Sequence, residues 1–122
     1  LKFKTRITRI GNQALNKDDQ MVVLFGDNVT GEIARVSMSQ KFVVPELQQK
    51  FELKIGQTVL IGSQLLNVNY VGSLVEENMR TICHINLFFG KQNGHLASAV
   101  YLDGNLKPEE FQVGNIITFN NE

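Results

Sequence analysis

The sequence has no tryptophan, one cysteine, two prolines and two histidines among its 122 residues, and no excess of either charge. Each scarcity excludes something. A single thiol, Cys83, forms no disulfide within the chain, which fits a reducing compartment and a cytoplasmic location. Lysine plus arginine and aspartate plus glutamate both number 12, so the formal net charge is zero, whereas a nucleic-acid binder ordinarily carries a basic excess. Apolar runs such as Met21–Phe25 and Thr58–Ile61 are far too short to cross a bilayer, and no basic-then-apolar leader opens the residues at hand. The expectation is a protein that works without nucleic acid and without membrane insertion. What is present is ordinary for a globular chain: 43% hydrophobic and 20% charged residues, over a length that suits one domain, residues 1–122.

Hydrophobic periodicity points to strands. Leu1, Phe3, Thr5 and Ile7 alternate with Lys2, Lys4, Arg6 and Thr8, the period of two of a half-buried strand. Met21–Phe25, closed by Gly26-Asp27-Asn28, reads as a buried strand. Thr30 to Gln40 reads either as a short helix or as irregular edge strands, and Phe42-Val43-Val44 as a brief strand stopped by Pro45. Pro45 to Phe51 reads as one or two helical turns with proline at the permitted first position. Gln57–Ile61 and Gln64–Val71 flank Gly62-Ser63 as a hairpin. Ser73 with Glu76 forms a capping box that opens a helix running past Met79 and Arg80. Cys83–Phe89, Ser98–Leu102 and Asn115–Phe119 complete the strands, with turns at Asp103-Gly104 and Val113-Gly114. A weak internal echo relates Phe51–Val59 to Phe111–Ile117, each preceded by Pro-Glu, and reads as two similar corners with a bend at glycine. Many short strands with one short helix give an all-β fold, a small closed or nearly closed β-barrel.

The inventory of reactive side chains is thin. No phosphate-cradling loop, dinucleotide fingerprint or nucleophile elbow occurs. Cys83 and His84 adjoin in a predicted strand and leave opposite faces, while His95 lies in the polar loop Gly90 to His95, so neither a metal site nor a cofactor is expected. His84 shares the less apolar face of its strand with Asn86 and Phe88. An imidazole titrating near neutrality suits reversible phosphoryl capture there, although the commoner role is structural, capping the end of the preceding helix. His95 reads as a solvated loop residue. Lys2, Lys4 and Arg6, continued by Arg9 after a change of phase, form a positive stripe. Such a stripe meets an acidic partner or a phosphate, or is simply the wet face of an edge strand. Eight Phe and two Tyr lie mostly at apolar strand positions, which argues against an oligonucleotide-binding barrel.

Several of these residues recur in a known pattern. Thr5-Arg6-Ile7-Thr8-Arg9-Ile10-Gly11, Asp19-Gln20-Met21, Val71-Gly72-Ser73 with Glu76, Asn78 and Arg80, and His84 with Leu87 and Phe89 resemble the glucitol/sorbitol-specific IIA component of the bacterial phosphotransferase system. Order and approximate spacing agree over nearly the whole chain. The resemblance implies a cytoplasmic β-barrel phosphocarrier. It would accept a phosphoryl group on a histidine from the histidine-containing phosphocarrier protein and pass it to a IIB unit, which acts with a IIC component on an entering sugar alcohol. The family pattern places the acceptor in a short His-x-His stretch after the second strand. The matching region here, about Lys41-Phe42-Val43-Val44-Pro45, holds no histidine, and none precedes His84. Three readings stay open: a phosphocarrier using His84, a non-catalytic relative that binds transport partners as a regulator, and a barrel reused for another ligand or protein. An exposed edge at Leu1–Ile7 also leaves a homo-oligomer open.

Overall fold

The computed structural model describes residues 1–16, 18–90 and 94–122. Lys17, and residues 91–93 of the expected polar loop Gly90 to His95, lie outside the described residues. The elements are β1 (Lys2–Ile10), β2 (Met21–Phe25), α1 (Gly31–Val36), β3 (Met38–Phe42), β4 (Thr58–Ile61), β5 (Gln64–Val71), α2 (Val75–Ile82), β6 (Ile85–Phe89), β7 (Ala99–Leu102) and β8 (Ile116–Asn120). Two short 3-10 turns, Pro45–Lys50 and Pro108–Glu110, precede β4 and β8. The strands close into a barrel in the order β1-β3-β2-β6-β7-β5-β4-β8. Two neighbouring pairs, β2 with β3 and β6 with β7, run parallel, and the others antiparallel. A parallel pair needs a crossover, which α1 supplies for the first.

The period of two fills the interior. Phe3, Ile7, Val22, Leu24, Val59, Ile61, Leu87, Phe89, Ile117 and Phe119 are fully buried, all from alternate strand positions. Phe51 enters from outside the strands, after the first 3-10 turn, and packs its ring 5.3 Å from both Phe3 and Phe119 and edge-on to Phe42. The internal echo is real in space. Pro45 and Pro108 each start a 3-10 turn, Phe51 and Phe111 each point into the core, and Gly56 and Gly114 take φ of 90° and 96° before strands that pair with each other.

Four local expectations are corrected. α1 followed by β3 occupies the ambiguous Thr30–Gln40 region, and β3 ends at Phe42, leaving Val43 and Val44 exposed outside it. The capping box does not form: α2 begins at Val75 behind a Leu74 cap that offers no side-chain bond. The Glu76 carboxylate turns away to the Leu53 N–H (3.0 Å) and the Lys54 ammonium (3.1 Å), a backbone donor and a cation together in place of one cap N–H. Cys83 is not the first residue of β6; it takes a left-handed φ of 57° and ends α2. Finally, β1 is no edge strand, because β3 pairs with one side of it and β8 with the other.

Removing the Phe51 ring leaves a hole that three other phenyl rings cannot collapse into without leaving their strands. Phe51→Ala is expected to cost about 3–5 kcal/mol, read as a lower urea midpoint with little change in the slope of the transition.

Candidate functional site

A helix ends with carbonyls that have no intrahelical donor. α2 is only eight residues long, and three glutamines serve its end. The Gln48 Nε2 donates to Met79 O (3.0 Å), the Gln49 Nε2 to Arg80 O (3.2 Å) and the Gln40 Nε2 to Cys83 O (3.0 Å). Gln40 is 1% exposed and also accepts the Thr5 hydroxyl on its Oε1 (2.7 Å), so one amide ties β1, β3 and α2 together. Arg80 returns a bond from its Nε to Phe51 O (2.9 Å). These contacts fix one wall of a cleft of about 350 Å³ between the end of α2, the Gly26–Asn28 turn and β3.

The region matched to the acceptor stretch borders this cleft. Lys41 is exposed and lines it; Phe42 points into the core; Val43 and Val44 stand in solvent before Pro45. Asp27, on the opposite lip, accepts the Thr8 hydroxyl (2.7 Å). Cys83 is buried at the edge of the cleft. Burial first and the Asp27 charge second push its thiol up to about 12, so it stays protonated at neutral pH.

His84 lies elsewhere. It follows α2 on the outer side of the barrel and is not among the residues that line the cleft at the end of α2. Its ring stacks on Phe25 with centroids 4.0 Å apart, and its Nδ1 is 2.9 Å from Leu24 O. The side chain therefore does not cap α2; only the backbone N–H of His84 reaches that helix, at Asn78 O (3.2 Å). A carbonyl can only accept, so Nδ1 carries the proton and Nε2 of the neutral ring holds the lone pair. Burial lowers the His84 pKa and the Leu24 bond opposes that in part. His95 is exposed but not simply solvated: its ring stacks on Tyr70 at 3.9 Å and meets Tyr101 edge-on at 5.3 Å. Among the described residues no three His, Cys, Asp or Glu side chains are placed to hold a metal ion.

The residues that carry the resemblance mostly hold the scaffold. Arg9 donates to Ser39 Oγ (3.0 Å) and Ala34 O, pinning the α1–β3 connection to β1. A Cβ at Gly72 would sit 2.2 Å from Ala97 O, where the Gly72 N–H bonds Ala99 O (2.9 Å), so only glycine permits that approach. Glu76 and Arg80 fasten α2 to Leu53 and Phe51. The glutamines escaped sequence reasoning. Their one legible signal was Gln40 at an inward position of β3, between Met38 and Phe42, where an amide must be fully bonded.

Gln40→Ala leaves the Cys83 carbonyl and Thr5 hydroxyl unpaired and is expected to cost about 1–3 kcal/mol, measured by denaturant unfolding. His84 is expected to titrate below 6.5 by NMR. The unfolded chain then binds the proton first, so this group lowers stability as pH falls below 6.5 toward the folded pKa and has no effect above. The loss should vanish in His84→Gln.

Comparison with known proteins agrees with this geometry. The fold is similar to the crystal structure of a PTS system IIA component from Enterococcus faecalis V583, with a TM-score of 0.85 and 24% identity, covering 95% of this chain and 98% of that one. In sequence the chain is 27% identical over 119 residues to the PTS system glucitol/sorbitol-specific EIIA components of Escherichia coli K12 and Shigella flexneri, spanning 96% of this chain and 93% of each. The sequence model of the glucitol/sorbitol-specific IIA component matches residues 2–118, and the chain belongs to that family.

Proposed function

We propose that this chain is a IIA-type component that works by binding partners of a sugar phosphotransferase system, as a docking or regulatory subunit, without holding the phosphoryl group at the family's acceptor stretch. Its partners in this reading are the histidine-containing phosphocarrier protein and the IIB unit of a glucitol-like system, met in the cytoplasm, with residues 1–122 acting as one domain. The observation that carries the reading is chemical. A phosphoryl relay needs an atom whose lone pair attacks phosphorus and then releases it. From Gln40 to Pro45 the side chains offer a fully bonded amide, an ammonium, a phenyl ring, two isopropyl groups and a pyrrolidine. The thiol beside them, Cys83, is held protonated by burial.

One feature favours a second reading, a carrier that uses His84. The Leu24 bond at Nδ1 leaves Nε2 as the nucleophilic atom of a ring that is neutral at pH 7. Against it stands the surrounding chemistry. A phosphoryl group brings about two negative charges, which sites of this kind stabilise with cations or clustered N–H groups. Among the described residues no charged group acts on the His84 ring.

Incubation with phosphoenolpyruvate, enzyme I and the phosphocarrier protein separates the two. The expected result is no acid-labile phosphate by intact mass, while the Escherichia coli relative is labelled in the same mixture, together with measurable binding of the unlabelled chain to a IIB unit. Label that disappears in His84→Ala and persists in His95→Ala establishes the carrier reading instead.

A further inference from the structure

The ordinary explanation of the positive stripe on β1 covers only part of it once the barrel is closed. Charges on an edge strand block aggregation, but β8 pairs with β1 from Lys2 to Arg6 and β3 from Thr5 onward, so only the first residues of β1 keep an open side and Arg6, paired on both, has no edge to protect. Lys2, Lys4 and Arg6 all point outward and are exposed, and the register sets Arg6 beside Lys41 of β3, also exposed. Of the twelve acids in the chain, none lies on any of the eight strands, and the five strand cations all lie on β1 and β3. The fifth, Arg9, is spent on Ser39 and Ala34 beyond the register shift after Ile7. Among the described residues none of the other four forms an ion pair; Arg6 gives one bond to Gly114 O (3.2 Å). These four leave eight cations against twelve acids, so the remainder of the chain is net −4 while this wall is +4.

We infer that the outer wall of β1 and β3 is a docking face for an extended acidic segment of a partner protein. Successive outward side chains on a strand stand about 6.7 Å apart, and an extended peptide repeats its alternate side chains at the same interval. Acidic residues at every second position therefore meet Lys2, Lys4 and Arg6 in turn. A groove of about 320 Å³ between Arg6, Lys41, Val43 and Pro45 continues the line and adds apolar contact. β8 occupies one side of β1 over Lys2–Arg6 and β3 the other from Thr5, so along the stripe the contact is made by side chains and not by adding a strand. The outward positions of β1, β3 and the flanking β8 carry no aromatic ring, which separates this face from a single-strand nucleic-acid platform. Asp27, which shares the cleft beyond Lys41, bounds the cationic face at that end. The inference does not depend on whether the chain carries a phosphoryl group.

The test is an amide-shift titration of the full chain with a synthetic peptide alternating glutamate and serine. The glutamine-for-glutamate peptide is the control. Saturable shifts are expected along Lys2–Thr8 and Ser39–Val44, weakening as ionic strength rises and absent with the control. Lys4→Glu combined with Arg6→Glu is expected to weaken binding at least about tenfold. Because Arg6 also bonds Gly114, the pair Lys2→Glu and Lys4→Glu repeats the measurement without touching that contact. Shifts centred on Lys54, Arg80 or Lys107, equal binding of the control peptide, or unchanged affinity in both reversed variants overturn the inference. Tighter binding of a single-stranded oligonucleotide or of phosphatidylserine vesicles overturns it as well.

Discussion

The end of α2 has more carbonyls than its own turns can satisfy, and the way those carbonyls are paid off decides how the cleft is built. Gln40, Gln48 and Gln49 come from β3 and the turn after it, so every bond they make to Met79, Arg80 and Cys83 also locks the helix against that stretch of chain. Arg80 and Glu76 lock it from the other side, onto Phe51 and Leu53. The Phe51 ring is thereby held among Phe3, Phe42 and Phe119. Polar bonds at the helix and apolar packing in the barrel are thus two faces of one constraint. The cationic end of α2, Arg80, faces its electronegative terminus, as the helix dipole favours.

That constraint explains how a chain keeps the family's framework although no histidine stands in the Lys41–Pro45 stretch. The chain matches the family over residues 2–118, and of the residues that carry the resemblance Arg9, Gly72, Glu76 and Arg80 each hold backbone in place. None of them attacks phosphorus. Scaffold residues and the acceptor are separate requirements, and a sequence comparison that scores the whole chain is dominated by the scaffold. Gln40 sharpens the point: its amide serves the helix end and Thr5 at once, and an amide, its nitrogen lone pair delocalised into the carbonyl, is no nucleophile for phosphorus.

The barrel was legible because period-two alternation survives tertiary packing. Phe3, Thr5 and Ile7 point inward as the pattern required, and the Gly62-Ser63 hairpin joins β4 to β5 in the expected register. What was not legible depended on partners distant in sequence. Ser73 and Glu76 have capping-box spacing, yet Glu76 found a backbone donor and a lysine some twenty residues upstream. Cys83 continues an apolar alternation, yet the chain needs a left-handed residue there to turn from α2 into β6. At the candidate site, the lack of a histidine before His84 was plain from composition. The stacking of His84 on Phe25 and its bond to Leu24 required the antiparallel pairing of β2 with β6, which no local pattern encodes.

Closure also redistributes charge. In an open sheet the lysines of β1 would guard an edge; in a closed barrel every strand is paired and the same residues become a surface with no structural task. The twelve acids meanwhile sit in turns, helices and termini, where several are used: Glu76 on Leu53 and Lys54, Glu110 on Ser63, Asp103 on Asn67. Charges that serve the fold are bonded within it, and the four cations on the outer wall of β1 and β3 are not paired with any described acid. Retaining four like charges side by side costs the folded chain mutual repulsion, and the bond from Arg6 to Gly114 O brings no opposite charge against it. An acidic partner of the kind inferred above would supply that compensation through side chains alone, and the four cations would then serve binding, not the fold.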